Sequence, residues 1–307
     1  MNSERCRKRQ MRAYLEQFMK DFEYEEKDAK FLLQEYDKIR CNRSSRALFN
    51  EAIDDYNKSI QIDYGNDVLV KAEKAGKNAG VHPYTAGLLI FMCFTKHLKE
   101  LYDEKGISEK IYHDSMLDLR YKLEECKLVK NIIGSFVAWW FPGFFDMTRF
   151  ALGRLQFEMS TYQGKDYEKN GKKLVKGDRV INVHIPRSDT PITKEATDDA
   201  YAQAADFFIH EVTNKQVVFV CHSWLLFSDT LEVFPKHTNT YRFIHEYDVV
   251  WNSYDKEGEY NDAWRLFDMD YTGNIEDYPE NTSMRRVYKQ YLLDGGRTGE
   301  GFGIIIY

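Results

Sequence analysis

Gly153-Arg-Leu-Gln-Phe-Glu158, Val180-Ile-Asn-Val-His-Ile-Pro186 and Val217-Val-Phe-Val-Cys-His-Ser223 are three extended runs whose order decides the fold. In the first and just beyond it, Leu155, Phe157 and Met159 alternate with Gln156, Glu158 and Ser160, the period of a strand with one buried face. Asn170-Gly171 and Gly177-Asp178 mark turns before the second run. Between the second and third, Thr190-Pro191 offers a threonine cap and a proline at the first helical position. The segment to about Val212 then carries Ala196, Ala200, Ala204, Phe207 and Phe208 inward, which predicts a helix packed closely on a sheet. Strand, strand, helix, strand is the order of a crossover unit, and such units place polar residues at strand ends where ligands bind.

Outward from this stretch, the preceding half reads as helix after helix. Met11, Tyr14, Leu15, Phe18 and Phe22 recur at helical spacing, as do Phe31, Leu32, Tyr36 and Ile39. His82-Pro83-Tyr84-Thr85 punctuates the chain before an apolar helix from Ala86 to Tyr102; Ser108 then caps a helix with a Met116, Leu119, Leu123 and Cys126 stripe. Trp139 and Trp140, among several phenylalanines, read as core or domain interface. After Ser223 the expected elements are a strand over about Tyr241–Trp251, helices near Asn261–Phe267 and Ser283–Leu293, and a short last strand from Gly303 to Tyr307. A chain of 307 residues, 43% hydrophobic, exceeds the usual size of one core. The expectation is an α+β two-domain protein, all-α over residues 1–149 and mixed α/β over residues 150–307.

A net charge of −6 argues against a general nucleic-acid footprint. The cluster Arg5, Arg7, Lys8, Arg9 and Arg12 reads as a solvated first helical turn. Five scattered cysteines, none in a C-x-x-C pair, disfavour a disulfide framework or a structural zinc site. The charged N-terminus lacks a following apolar stretch, and the longest apolar run, Ala86 to Phe94, is far short of a bilayer span. A soluble cytoplasmic protein with no nucleic-acid, membrane or metal partner is expected, its oligomeric state open.

Arg-Leu-Gln-Phe-Glu158, Val-His-Ile-Pro186 and Val-Cys-His-Ser-Trp-Leu-Leu226, in this order and spacing, resemble a family of bacterial acyltransferases with a helical N-acyltransferase N-terminal domain and a GNAT-like C-terminal domain. The resemblance spans nearly the whole chain. It implies a transferase that moves an acyl group from acyl-CoA or acetyl-CoA to a small-molecule amine or a peptide. It also implies a cosubstrate held between two splayed strands, its pantetheine along Val183 and Ile185 and its pyrophosphate over Pro186 to Pro191, where Arg187, Ser188 and Thr190 lie. The expected loop is glycine-rich; this one has no glycine and two prolines, which remove backbone donors, and Asp189 repels phosphate. A catalytically degenerate GNAT-like protein that binds a small molecule or another protein therefore stands as the alternative, as does an ordinary strand-to-helix turn.

His184 and His222 are the candidate proton-transfer groups, because imidazole titrates near neutral pH, and Glu158 is a candidate base or orienting carboxylate. Each histidine also fits a core role bonded to backbone or carboxylate. Cys221 and His222 are adjacent on a strand and point to opposite faces, so they do not form a dyad. Asp268-Met-Asp270-Tyr-Thr272-Gly273 imitates the start of a calcium loop, but Pro279 occupies the closing glutamate's place, which favours an accidental turn. The glycine-rich Gly295–Gly303 segment reads as a flexible connection, with close backbone approach to a ligand the alternative.

Overall fold

The computed structural model describes residues 2–307, with side chains from residue 10 onward; the basic residues Arg5, Arg7, Lys8 and Arg9 lie outside the described side chains. The chain divides into two compact units, Met1–Phe150 and Ala151–Tyr307. The first holds α1 (Asn2–Asp21), α2 (Glu26–Cys41), α3 (Arg43–Lys58), α4 (Val70–Ala79), α5 (Pro83–Glu104), α6 (Glu109–Lys130) and the short α7 (Pro142–Phe145). Here α5 is the central helix, buried over nearly the whole run from Thr85 to Thr95. It begins earlier than the periodicity predicts, because His82 caps it through Nδ1 accepting from the Tyr84 amide at 3.1 Å and Pro83 occupies the first turn. Ser108 caps α6 as expected, and Met116, Leu119, Leu123 and Cys126 are buried. The tryptophans differ from expectation. Phe141, Phe144 and Phe145 fill the core, whereas Trp139 is 60% exposed and Trp140 lies under the Arg149 guanidinium at 3.6 Å.

A six-stranded sheet dominates the second half, formed by β1 (Arg149–Leu152), β2 (Leu155–Thr161), β5 (Arg179–His184), β6 (Val218–Ser223), β8 (Gly299–Ile306) and β7 (Asp248–Tyr254), in that order across the sheet. The separate hairpin of β3 (Tyr167–Lys169) and β4 (Lys172–Leu174) turns at Asn170 and Gly171, both with positive φ. Strands β2 and β5 are antiparallel, β5 and β6 parallel, and β8 is antiparallel to both β6 and β7. The crossover between the parallel pair is α8 (Lys194–Phe208), which buries Ala200, Tyr201, Ala204 and Phe208. Its Tyr201 ring lies against Phe157 and Phe219 at 6.2 and 4.8 Å. Those two rings mark the helix-covered face of the sheet, and by alternation Val183 and Cys221 share it.

Three elements depart from the sequence reading. The helix starts at Lys194 rather than at Pro191, because Thr193, not Thr190, accepts from the backbone amide three residues on, that of Ala196, at 3.2 Å. The predicted strand from Tyr241 instead begins as α9 (Asn239–Ile244), capped by Thr238, and β7 starts only at Asp248. The other two late helices are α10 (Ala263–Phe267) and α11 (Ser283–Leu293). The last strand is longer than expected and absorbs most of the glycine-rich segment. A Cβ at Gly301 would stand 1.9 Å from the Leu226 carbonyl oxygen, and one at Gly299 2.1 Å from that of Ser253 on the paired strand β7, so Gly301 admits crossing backbone and Gly299 a close approach of its ladder neighbour rather than supplying slack.

Candidate active site

The face of the sheet opposite α8 carries the polar residues. On it the lower ends of the strands are closed by Val180, Val218, Val220 and Ile304, packed with Tyr162 and with Leu174 of the hairpin. Tyr167 reaches Asp248 at the base of β7, and Lys169 binds the same carboxylate at 2.6 Å. Those two partners, Lys169 first, hold Asp248 below the usual carboxylate range. Above this plug the face opens into a cleft of about 720 Å³ lined by Tyr162, Asn182, Val220, His222, Trp251 and Phe302 among others.

The parallel ladder between β5 and β6 comprises two pairs, Ile181 with Phe219 and Asn182 with Val220. Both strands continue past it, β5 to His184 and β6 to Ser223. Each is held from its other side: His184 pairs with Gln156 of β2, and His222 with Phe302 of β8. The two parallel strands therefore part at their carboxyl ends, and the imidazoles of His184 and His222 stand on the same open face, one on each side of the gap.

Glu158 lies directly opposite Asn182, on the same face as His184 two residues further along β5. Its Oε1 contacts His184 Nε2 at 2.9 Å and accepts from Asn182 Nδ2 at 3.1 Å, while Asn182 Nδ2 lies 3.2 Å from His184 Nε2. Two of the three predicted proton-transfer residues are thus joined directly, and Asn182, which sequence reasoning missed, completes the cluster. Its signal was present in the Asn-x-His alternation. His222 is paired instead with Glu300 of β8 at 3.2 Å and lies edge-on to Trp251 at 5.6 Å. Glu300 was also missed, because its segment reads as a loop. Cys221 points to the helix-covered face, where burial pushes its thiol up to about 12. A thiolate nucleophile is not available there.

The predicted cosubstrate residues are dispersed along the β5–α8 connection. Val183 pairs with Phe157 on one side, and beyond Asn182 the β5 edge toward β6 leaves the ladder; Ile185 follows the end of the strand. Ser188 Oγ accepts from the Thr190 amide at 3.1 Å, which folds the loop on itself. Arg154 clips both ends of that loop, donating to the Thr190 carbonyl at 2.6 Å and to the Pro186 carbonyl at 3.0 Å. Arg187 donates to Asp268 at 2.7 Å, and Arg285 binds the other oxygen of Asp268 at 2.5 Å. The aspartate that opened the calcium-like pattern is thus shared between two arginines.

Residues 150–305, which form this sheet and its crossover helix, match a family model described as a GNAT-like C-terminal domain. The chain belongs to the GNAT-like C-terminal domain family. Ahead of the GNAT-like domain, residues 13–147 match the N-acyltransferase N-terminal domain. Among solved structures, the chain is similar to an acyltransferase in complex with decanoyl-CoA, 17% identical over 84% of this chain and 76% of that one, with a TM-score of 0.64. An acyltransferase in complex with decanoyl-CoA and teicoplanin is also 17% identical, over 95% of this chain and 99% of that one, at a TM-score of 0.61. A third, in complex with CoA and 10C-teicoplanin, is 16% identical with the same coverage and a TM-score of 0.62. No curated protein matches the chain. At such identities the structural likeness establishes the shared fold. In this GNAT-like chain no helix among the described residues is long and apolar enough to cross a membrane.

Proposed function

We propose that this chain is an acyl-CoA-dependent N-acyltransferase, with the gap between β5 and β6 as the seat of the thioester and the open-face cleft as the seat of the amine. The observation that carries the reading is the two-pair ladder with a histidine on each side of the parting strands. Complexes of similarly folded acyltransferases with decanoyl-CoA and CoA support it. The β5 edge beyond Asn182 fits a pantetheine pairing along Val183 and Ile185. Arg187, with Ser188 and Thr190, is the group on the following loop suited to the diphosphate.

In the proposed reaction the amine nitrogen attacks the thioester carbonyl carbon. A C–N bond forms, the C–S bond breaks with its electron pair leaving on sulfur, and the thiolate takes a proton from solvent. His184 removes the proton that the attacking nitrogen sheds, and Glu158 orients the ring and stabilises the imidazolium. His222, with Glu300 behind it, lines the cleft and contacts the acceptor side. A small molecule or a peptide terminus would serve as acceptor.

A second reading, a degenerate GNAT-like binding protein, is favoured by two observations: the loop lacks glycine, and Arg187 is engaged by Asp268. Titration calorimetry with acetyl-CoA, octanoyl-CoA and decanoyl-CoA, followed by thiol release in the presence of an amine panel, separates the two. Binding with release that depends on His184 supports the transferase. Binding without release for any amine supports the degenerate protein, and no binding of any thioester refutes both the transferase and the assigned seat.

A further inference from the structure

The helical unit contains a second concavity of about 500 Å³, enclosed by α1, α2, α3 and α5. Its floor is Tyr36, Cys93 and Arg40, all buried. Arg40 is anomalous. It is 5% exposed, and among the described residues it pairs with no carboxylate. One nitrogen donates to Asn50 Oδ1, and its Nε has no hydrogen-bond partner. A guanidinium on the floor of a concavity, held by a single neutral amide, keeps donors in reserve for an anion that enters it. Its field is felt locally, since it partly offsets the burial that pushes the Cys93 thiol up to about 12.

We propose that this concavity is a binding site for a small monocarboxylate, whose oxygens receive the Arg40 guanidinium, with Asn50 and Asn57 beside it. The planar fork of arginine matches a carboxylate in two hydrogen bonds. Interiors between packed helices are recurrent ligand sites. The rim holds Asp54, Glu100 and Lys96, one net negative charge from two carboxylates and one ammonium, so a polyanion such as sulfate or phosphate is disfavoured at the mouth. The apolar remainder of the wall, Met11 and Ile53 with the Tyr36 ring, suits a short alkyl or aryl body.

The test is thermal unfolding of the full chain in acetate, butyrate and benzoate against chloride, sulfate and phosphate at matched ionic strength. A ligand at about 100-fold its dissociation constant should raise the melting temperature by roughly 5–10 °C. The expected result is a saturable rise with at least one monocarboxylate, absent in Arg40→Met, whose ligand-free melting point is no lower than that of wild type because an unpaired buried charge has been removed. If Arg40→Met does not fold, Asn57→Leu on the exposed wall should weaken the midpoint of the carboxylate response about tenfold. No carboxylate response, an equal response to sulfate or phosphate, an undiminished response in Arg40→Met, or an unchanged midpoint in Asn57→Leu would each overturn the assignment.

Discussion

Replacing Gly301 with alanine tests whether this glycine of β8 is there for crossing backbone. After Ser223 the chain turns through Trp224–Leu226 and lies back over β8. A Cβ at residue 301 would sit 1.9 Å from the Leu226 oxygen, 2.4 Å from its carbonyl carbon and 3.0 Å from the Phe227 nitrogen. An ordinary carbon-to-oxygen approach is about 3.3 Å, so strand and turn must separate by roughly 1.4 Å. All three obstructing atoms are backbone, fixed on one side by the β6–β8 ladder. Overpacking of this kind costs typically 1–3 kcal/mol when side chains give way, so about 3 kcal/mol or more is expected here. For a unit of this size that is a fall of roughly 6–12 °C in melting temperature. Gly303→Ala is the comparison, because its obstructing atoms at 2.8–3.0 Å belong to the side chains of Tyr247 and Leu226, and about 1–2 kcal/mol is expected. Urea and thermal unfolding followed by tryptophan fluorescence read both. A Gly301→Ala protein melting within about 2 °C of wild type, or one more stable than Gly303→Ala, would show that the turn does not lie on the strand as described.

His184→Gln and Glu158→Gln should each lower acyl transfer by about 10²-fold or more while the melting temperature changes little; equal turnover in both variants would remove the pair from catalysis. Tyr201 and Tyr247 share a buried hydroxyl contact of 2.7 Å, so Tyr247→Phe leaves an orphaned hydroxyl and should cost about 1–3 kcal/mol, much of it recovered in the double phenylalanine variant on urea titration. Brief alkylation of the native protein should modify Cys41, which is exposed, and spare Cys93, Cys126 and Cys221, whose thiols burial pushes up to about 12, 11 and 12; peptide mass spectrometry reads the outcome. Asp248 is held below its unfolded value, so its contribution to stability is present above the unfolded pKa and fades as pH falls through the folded one. The stability difference between wild type and Asp248→Asn should therefore be small and constant near neutral pH and vanish in acid; a difference that grows as pH falls contradicts the assignment.

The first deciding strand was legible because its apolar and polar residues alternate in the sequence from Leu155 to Ser160, although Gln156 is buried as well; β6 was legible instead as a continuous apolar run, Val218 to Cys221, buried on both faces. Where the pattern was short it misled. Tyr241 to Ile244 is rich in strand formers yet forms a helical turn, since Thr238 caps it and Phe243 and Ile244 both reach the core from adjacent positions. Thr190-Pro191 and Thr193 are equivalent helix starts by local chemistry, and the choice is made by the loop that Arg154 clips, a contact 36 residues away in sequence. The catalytic candidates were read from residue type and strand position, which is local information. Their grouping was not: Glu158 meets His184 through the β2–β5 register, and Glu300 meets His222 through a strand whose glycines conceal it. Asn182 lay within reach of the alternation argument, because a residue two positions before His184 on the same strand must share its face.

The engagement of Arg187 bears on the proposed cosubstrate more weakly than its geometry first suggests. Asp268 is bound at both oxygens, by Arg187 at one and Arg285 at the other, and Arg285 also donates to the Leu266 carbonyl. Releasing Arg187 to an incoming diphosphate would leave Asp268 neutralised by Arg285, so no buried charge is stranded. The exchange would trade one carboxylate contact for contacts to a more highly charged anion, with the guanidinium side chain about one-third exposed. If that reasoning holds, Arg187→Ala should weaken decanoyl-CoA binding by tenfold or more, and Asp268→Asn should strengthen it or leave it unchanged. Dephosphorylated pantetheine thioesters, which lack the diphosphate, should bind wild type and Arg187→Ala alike. An Arg187→Ala protein that binds decanoyl-CoA as wild type does would move the diphosphate off this loop, while the parted strands and the Glu158–His184 pair would keep their assignment.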